Sequence, residues 1–162
     1  MNKLKTVFVD RDGVINQERS DYVKSISELE IYPNVAENIK LLKDAGFLVI
    51  VITNQSAVNR GIISHEMINQ IHNSIQDHLK KYGTFLDGFY YCPHTPNENC
   101  NCRKPKPGLL QKAILELNID LNSSWMIGDH DSDIEAANSI GCKAIKISNS
   151  FSLDNAVEKI LN

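Results

Sequence analysis

Short apolar runs alternate along the chain with longer stretches in which apolar residues recur every three to four positions. The first run is Thr6–Val9, and the polar stretch 16–30 behind it predicts a loop or hairpin. Pro33-Asn34 then opens a helix with Val35, Ile39 and Leu42 on one face and Gly46 as its stop. Residues 47–52 are wholly apolar, as a strand buried on both faces should be. Ser64 is placed to cap a long helix that carries Ile68, Ile71, Ile75 and Leu79 at helical spacing. A third strand is expected over 88–91, a third helix over 109–117 behind Pro107-Gly108, and a fourth strand over 125–127 with a helix running on to Gly141. A fifth strand at 143–147 and a last helix at 152–161 complete the pattern.

Alternation this regular predicts an α/β chain: a Rossmann-like, doubly wound parallel sheet with helices on both faces. Each interval between strands holds about one helix, which leaves no room for a large cap domain. Residues 1–162 therefore read as a single domain, long enough to bury a core without staples. No repeat, low-complexity tract or linker interrupts it.

In an open sheet of this kind, ligands bind beyond the carboxyl ends of the strands. Asp10-Arg11-Asp12-Gly13 lies beyond the first strand, Thr53-Asn54-Gln55-Ser56 beyond the second, 92–106 beyond the third and Gly128-Asp129-His130-Asp131 beyond the fourth. Any one of these could be ordinary turn chemistry; Thr53-Asn54 alone would serve as a cap. Four polar turns on one edge need another explanation. Two carboxylates one residue apart at a strand end are costly unless a cation, a partner or a proton offsets them. Asp10, Asp12 and Asp129 are hard oxygen donors suited to Mg²⁺, while Thr53 and Lys104 offer a hydroxyl and a point cation to phosphoryl oxygens. A magnesium-bound phosphate monoester fits this set. Asp133 either orients these groups or is a carboxylate favoured by a helix start.

Charge narrows the partners. At 42% hydrophobic, 23% charged and a net charge of −3, the chain has the composition of a globular protein and lacks the positive footprint of a nucleic-acid or membrane-surface binder. Met1-Asn2-Lys3-Leu4-Lys5 runs straight into the first strand with no apolar leader, so the expected location is cytoplasmic and the expected state of the four cysteines is reduced. Three of them fall within eleven residues. Cys92, His94, Cys100 and Cys102 supply three thiolates and one imidazole, a donor set for tetrahedral Zn²⁺ in a closed structural site. Four of the five prolines lie in or just after this loop, which ends on Arg103-Lys104. Cys142 reads as a small core residue, and His65, His72 and His78, on one helix without a metal-type pair, read as surface positions.

The succession Asp10-Arg11-Asp12-Gly13-Val14-Ile15-Asn16, Thr53-Asn54-Gln55, Lys104 and Gly128-Asp129 with Asp133 resembles the four-motif set of the haloacid dehalogenase superfamily of phosphatases, in order and over nearly the whole chain. Within it, the zinc loop and the Asp-Arg-Asp-Gly opening are similar to the D-glycero-D-manno-heptose 1,7-bisphosphate phosphatases and the related histidinol-phosphatases. The resemblance implies Asp10 as nucleophile and Asp12 as acid/base, protonated at first. It also implies Mg²⁺ held by Asp10, the Asp12 carbonyl and Asp129. It extends through 53–61, where Arg60 is available to a second phosphate, with Asn54, Gln55, Ser56 and Arg103 as further substrate contacts. His130 departs from it, standing where these enzymes often have lysine. The implied partner is a small phosphorylated sugar, bound by a monomer. Histidinol phosphate remains the alternative substrate, and a phospho-receiver domain or a non-catalytic zinc module the remote readings.

Overall fold

A computed structural model describes residues 2–162. Five parallel strands form one sheet: β1 (Thr6–Val9), β2 (Leu48–Asn54), β3 (Gly88–Cys92), β4 (Trp125–Gly128) and β5 (Lys143–Lys146), in the spatial order β3-β2-β1-β4-β5. The chain walks outward from β1 to β3, then crosses back to β4 on the other side of β1. The direction of winding reverses there, so the loops after β1 and β4 diverge and leave a crevice between them. The helices are α1 (Val35–Asp44), α2 (His65–Lys80), α3 (Gly108–Leu117), α4 (Asp131–Ser139) and α5 (Leu153–Leu161).

Side chains alternate across the sheet with the period of two that strands impose. Val7, Val9, Val49 and Val51 point to the face covered by α1, α2 and α5, where Val35, Ile39, Ile71, Ile75, Leu79 and Val157 pack on them. Phe8, Ile50, Ile52 and Met126 point to the face covered by α3 and α4, against Leu109, Leu110, Ala113 and Ala137. Cys142 belongs to that second core, as expected.

Most boundaries fall within one or two residues of those predicted, and the differences have local causes. Phe47 is not the start of β2: its N–H closes α1 on Leu42 O at 3.1 Å and Gly46 N–H bonds Lys43 O at 2.9 Å, with Gly46 at φ 87°. This is a Schellman stop, which a glycine enters without strain. At its other end β2 runs on through Thr53 and Asn54, which pair with Tyr91 and Cys92 of β3, so these two are strand residues and not a turn. The 16–30 stretch is a loop pinned at its neck, where Gln17 N–H bonds Glu30 O at 2.8 Å and Tyr32 N–H bonds Ile15 O at 3.0 Å. Ser64 caps α2 through Met67 N–H at 3.0 Å. His72 corrects the surface assignment: it is 4% exposed. It stands four residues after Ile68 and three before Ile75, on the buried stripe of α2. Among the described residues no helix is long and apolar enough to cross a membrane.

Candidate active site

The four polar turns meet at the carboxyl edge of the sheet around a cleft of 340 Å³ lined by Asp10, Asp12, Lys104, Asp133, Arg60 and Arg103, among others. At its base Lys104, 4% exposed, donates to Asp10 Oδ1 at 2.9 Å, Asp133 Oδ1 at 2.5 Å and the Ile52 carbonyl at 2.8 Å. An ammonium has three protons to give, and all three are taken. Burial opposes the charge on Lys104, but the two carboxylates outweigh it and raise its pKa. Lys104 therefore holds two acids together in the free site, and reaches a phosphoryl oxygen only by giving up one of these bonds.

Asp10 sits at the end of β1, its Oδ1 also accepting Arg11 N–H at 2.9 Å. Burial is the largest influence on its carboxyl, and Lys104 offsets that only in part, with Asp133 and Asp12 close by. Its pKa is raised to about 7. Asp133 is 1% exposed and further accepts His130 N–H at 3.2 Å. It pairs with Lys104 and stands in the first turn of α4. Gly128 admits it: a Cβ there would lie 2.2 Å from Asp133 Oδ2.

Asp12 is held differently. Oδ1 accepts from Arg11 Nη2 at 2.9 Å and Asn16 Nδ2 at 3.0 Å, and Oδ2 accepts from Gln55 Nε2 at 2.8 Å. Burial raises its pKa, but Arg11 and the hydrogen bonds from Asn16 and Gln55 overcome this, and the net shift is downward. The free site thus favours the carboxylate form of Asp12, contrary to the expectation of a side chain protonated from the start.

Asp129 follows β4 and bonds His130 Nδ1 at 2.8 Å. Gly13 gives it room, with φ +89° and a hypothetical Cβ only 1.9 Å from Asp129 Oδ2. Asp10, Asp129, His130 and Asp133 can each place one donor atom within 4.8 Å of the others. Mostly carboxylate oxygens, these donors suit a hard divalent cation. Burial lowers the pKa of His130, but Asp129 and Glu18 prevail and raise it.

The remaining predicted contacts divide. Gln55, Ser56, Arg60 and Arg103 line the cleft, Arg60 resting on Ser56 Oγ at 3.3 Å and Arg103 on the His94 carbonyl at 3.4 Å. Thr53, 1% exposed, is not on the cleft wall; its hydroxyl accepts Gln55 Nε2 at 2.9 Å. Asn54 does line the cleft, while its amide brackets the main chain of Lys104, accepting the N–H at 3.0 Å and donating to the carbonyl at 3.1 Å. Sequence reasoning missed two residues in this network. Asn16 closes the first motif and had no role assigned, and His72, whose Nε2 lies 3.3 Å from Arg11 Nη1, was betrayed only by its helical register.

Cys92, at the end of β3, gathers His94, Cys100 and Cys102 around one point, all four donor atoms lying within 4.8 Å. The edges run from 2.9 Å between the sulfurs of Cys92 and Cys102, through 3.2 and 3.3 Å to His94 Nδ1, to 3.6 Å between Cys92 and Cys100. Tetrahedral zinc with S ligands at about 2.3 Å needs edges of roughly 3.8 Å; the Cys92–Cys100 edge is near this and the Cys92–Cys102 edge is shorter. The donor set fits a structural metal, and Lys104 follows two residues behind its last ligand.

Residues 101–159 match the HAD-hyrolase-like family model. The chain is 44% identical over 133 residues to the D-glycero-beta-D-manno-heptose-1,7-bisphosphate 7-phosphatase of a Helicobacter pylori strain, covering 82% of this chain and 76% of that protein. To the Haemophilus ducreyi protein of the same name it is 41% identical, with 86% and 80% covered. Among solved structures it is similar to a D,D-heptose 1,7-bisphosphate phosphatase from B. bronchiseptica complexed with magnesium and phosphate. There the identity is 29% and the TM-score 0.90, with 98% of each chain covered.

Proposed function

The chain belongs to the heptose 1,7-bisphosphate 7-phosphatase family of haloacid dehalogenase-like hydrolases, and from that premise we propose that it removes the 7-phosphate of D-glycero-D-manno-heptose 1,7-bisphosphate, in the biosynthesis of nucleotide-activated heptose. The observation that carries this reading is the convergence of Asp10, Asp12 and Lys104 on one cleft whose lining also includes Arg60 and Arg103. A bisphosphate needs both halves: one end for reaction, and cations to meet the anion that is not cleaved.

The residues that would hold Mg²⁺ are Asp10, Asp129 and the main-chain carbonyl of Asp12. Bound there, the ion supplies charge neutralisation between an anionic nucleophile and an anionic phosphate. A carboxylate oxygen of Asp10 attacks phosphorus, forming an aspartyl-phosphate as the bond from phosphorus to the sugar oxygen breaks. Asp12 gives its proton to that leaving oxygen, then takes one from the water that cleaves the aspartyl-phosphate, regenerating the Asp10 carboxylate. Proton handling of this kind contributes about 10²–10⁴-fold. Asp12 takes up that proton from solvent when substrate binds, because a dianion entering beside the carboxylate raises its pKa. Oδ1 accepts from both Arg11 and Asn16 while Oδ2 accepts only from Gln55, so Oδ2 is the oxygen with a lone pair left to carry it.

We assign Zn²⁺ to the cluster of Cys92, His94, Cys100 and Cys102. With all four positions filled by protein ligands it holds structure and meets no reactant. Its contribution is to fix the chain that enters the site as Arg103-Lys104.

The test is phosphate release with Mg²⁺ from heptose 1,7-bisphosphate, histidinol phosphate and a generic aryl phosphate, compared in parallel. The bisphosphate is the preferred substrate, and Arg60→Ala costs its turnover far more than that of the aryl ester. A preference for histidinol phosphate overturns the substrate assignment. Equal losses on the two esters remove Arg60 from reading the second phosphate.

A further inference from the structure

We propose that His72, on α2 and outside the cleft, is a positioning residue for the acid/base: its ring nitrogen accepts from Arg11 and so aims the guanidinium at Asp12. The inference rests on the role given to Asp12 above.

Arg11 is fully buried. Its guanidinium is a permanent cation that can only donate, so it needs acceptors wherever it is enclosed. Among the described residues it has two: Asp12 Oδ1 at 2.9 Å from Nη2, and His72 Nε2 at 3.3 Å from Nη1, while Nε has no partner there. A planar fork fixed at two points cannot pivot; fixed at one, it can. Because arginine only donates, Nε2 of His72 must be the accepting nitrogen, and the ring proton belongs on Nδ1.

The ring itself is clamped by β3. Phe89 stacks on it with centroids 4.4 Å apart and planes 14° from parallel, and Tyr91 meets it edge-on at 5.9 Å. The sheet thereby sets the ring, the ring sets Arg11, and Arg11 sets one oxygen of Asp12. Packing alone would favour phenylalanine at this position, since burying an imidazole costs free energy unless it is hydrogen-bonded. The bond to Arg11 is what a histidine adds. Releasing it lets Arg11 pivot and slackens one of the three bonds that hold the Asp12 carboxylate, those from Asn16 and Gln55 remaining; a displacement of up to about 1 Å in a reacting group costs on the order of 10²-fold.

Two substitutions separate this role from packing. His72→Phe keeps the ring and its stack but has no acceptor; His72→Gln loses the stack but can bring an acceptor close to where Nε2 stood. Turnover of an aryl phosphate is measured for both at saturating Mg²⁺, with the folded fraction followed by circular dichroism. In His72→Phe, kcat should fall roughly ten- to hundredfold with KM within about twofold of wild type, and His72→Gln should recover most of that loss. Wild-type kcat in His72→Phe overturns the proposal, and so does a loss in His72→Gln as deep as in His72→Phe. Should His72→Phe not fold, His72→Asn, polar but too short to reach Arg11, takes its place with the same expectations. A wild-type protein with no turnover would overturn the functional reading and this inference with it; a normal wild type beside an unimpaired acceptor-free variant overturns this inference alone.

Discussion

Magnesium affinity should depend steeply on pH below neutrality, because Asp10, the proposed nucleophile and metal ligand, holds its proton there in the metal-free site. Burial and the neighbouring Asp133 push Asp10 to about 7 despite Lys104. A cation that takes Asp10 as ligand must displace that proton, since metal ligands bind deprotonated. At pH 5 the deprotonated fraction is on the order of 1%, so the apparent dissociation constant should be about a hundredfold weaker than at pH 8, or about 2.8 kcal/mol at 1.4 kcal/mol per decade. The sign is set by the raised pKa. Between the ordinary carboxylate range and about 7 the folded protein binds more protons than the unfolded chain, so the contribution of Asp10 to stability is present at low pH and lost as pH rises through about 7. Magnesium acts in the opposite direction, and its stabilising effect should grow over the same window. Calorimetric titration with MgCl₂ at half-unit intervals from pH 5 to 8 reads the slope directly, and melting curves with and without Mg²⁺ read the linked stability. An affinity that stays constant from pH 5 to 7 would refute the reasoning, because it would mean that Asp10 is already ionised without the metal.

Three substitutions test other parts of the site. Asp10→Asn should abolish turnover and the acid-stable phosphoenzyme while raising the metal-free melting temperature at pH 8, because it removes a buried charge that Lys104 only partly offsets; measurable turnover in a preparation free of deamidation would exclude Asp10 as nucleophile. Gly13→Ala should weaken Mg²⁺ binding, since its Cβ would fall on Asp129 Oδ2 and the backbone there has positive φ; calorimetry showing wild-type affinity would remove Asp129 from the metal site. Cys100→Ser should lower bound zinc and thermal stability together, with activity following through a displaced Lys104, and elemental analysis finding no zinc in wild-type protein purified without chelators would eliminate that site.

The alternation of apolar runs was enough to define the sheet, its parallel sense and the edge on which polar turns gather, because burying a strand on both faces leaves a mark that neighbouring residues carry in sequence. The Asp10–Asp12 pair, Lys104 and the Cys92–Cys102 cluster were legible for a related reason: their chemistry is costly anywhere except at a site. What the chain order could not carry was which partner each group takes. Lys104 looked like a free phosphate-binding cation, yet Asp10 and Asp133, 94 and 29 residues away along the chain, consume its donors. Asn54 looked like a turn residue, and β2 extends far enough to turn its amide onto the Lys104 main chain. Asp12 looked protonated from the start until Arg11, Asn16 and Gln55 converged on it. His72 carried no motif at all, and gained a partner only because α2 lies against β3 and Arg11, just after β1, reaches its ring. Residue types and local periodicity reveal the groups that cannot be ordinary surface, because desolvation penalises each one singly. Their protonation and orientation are set by pairwise fields and hydrogen bonds that fall off within a few ångströms, and only the folded packing brings those partners so close.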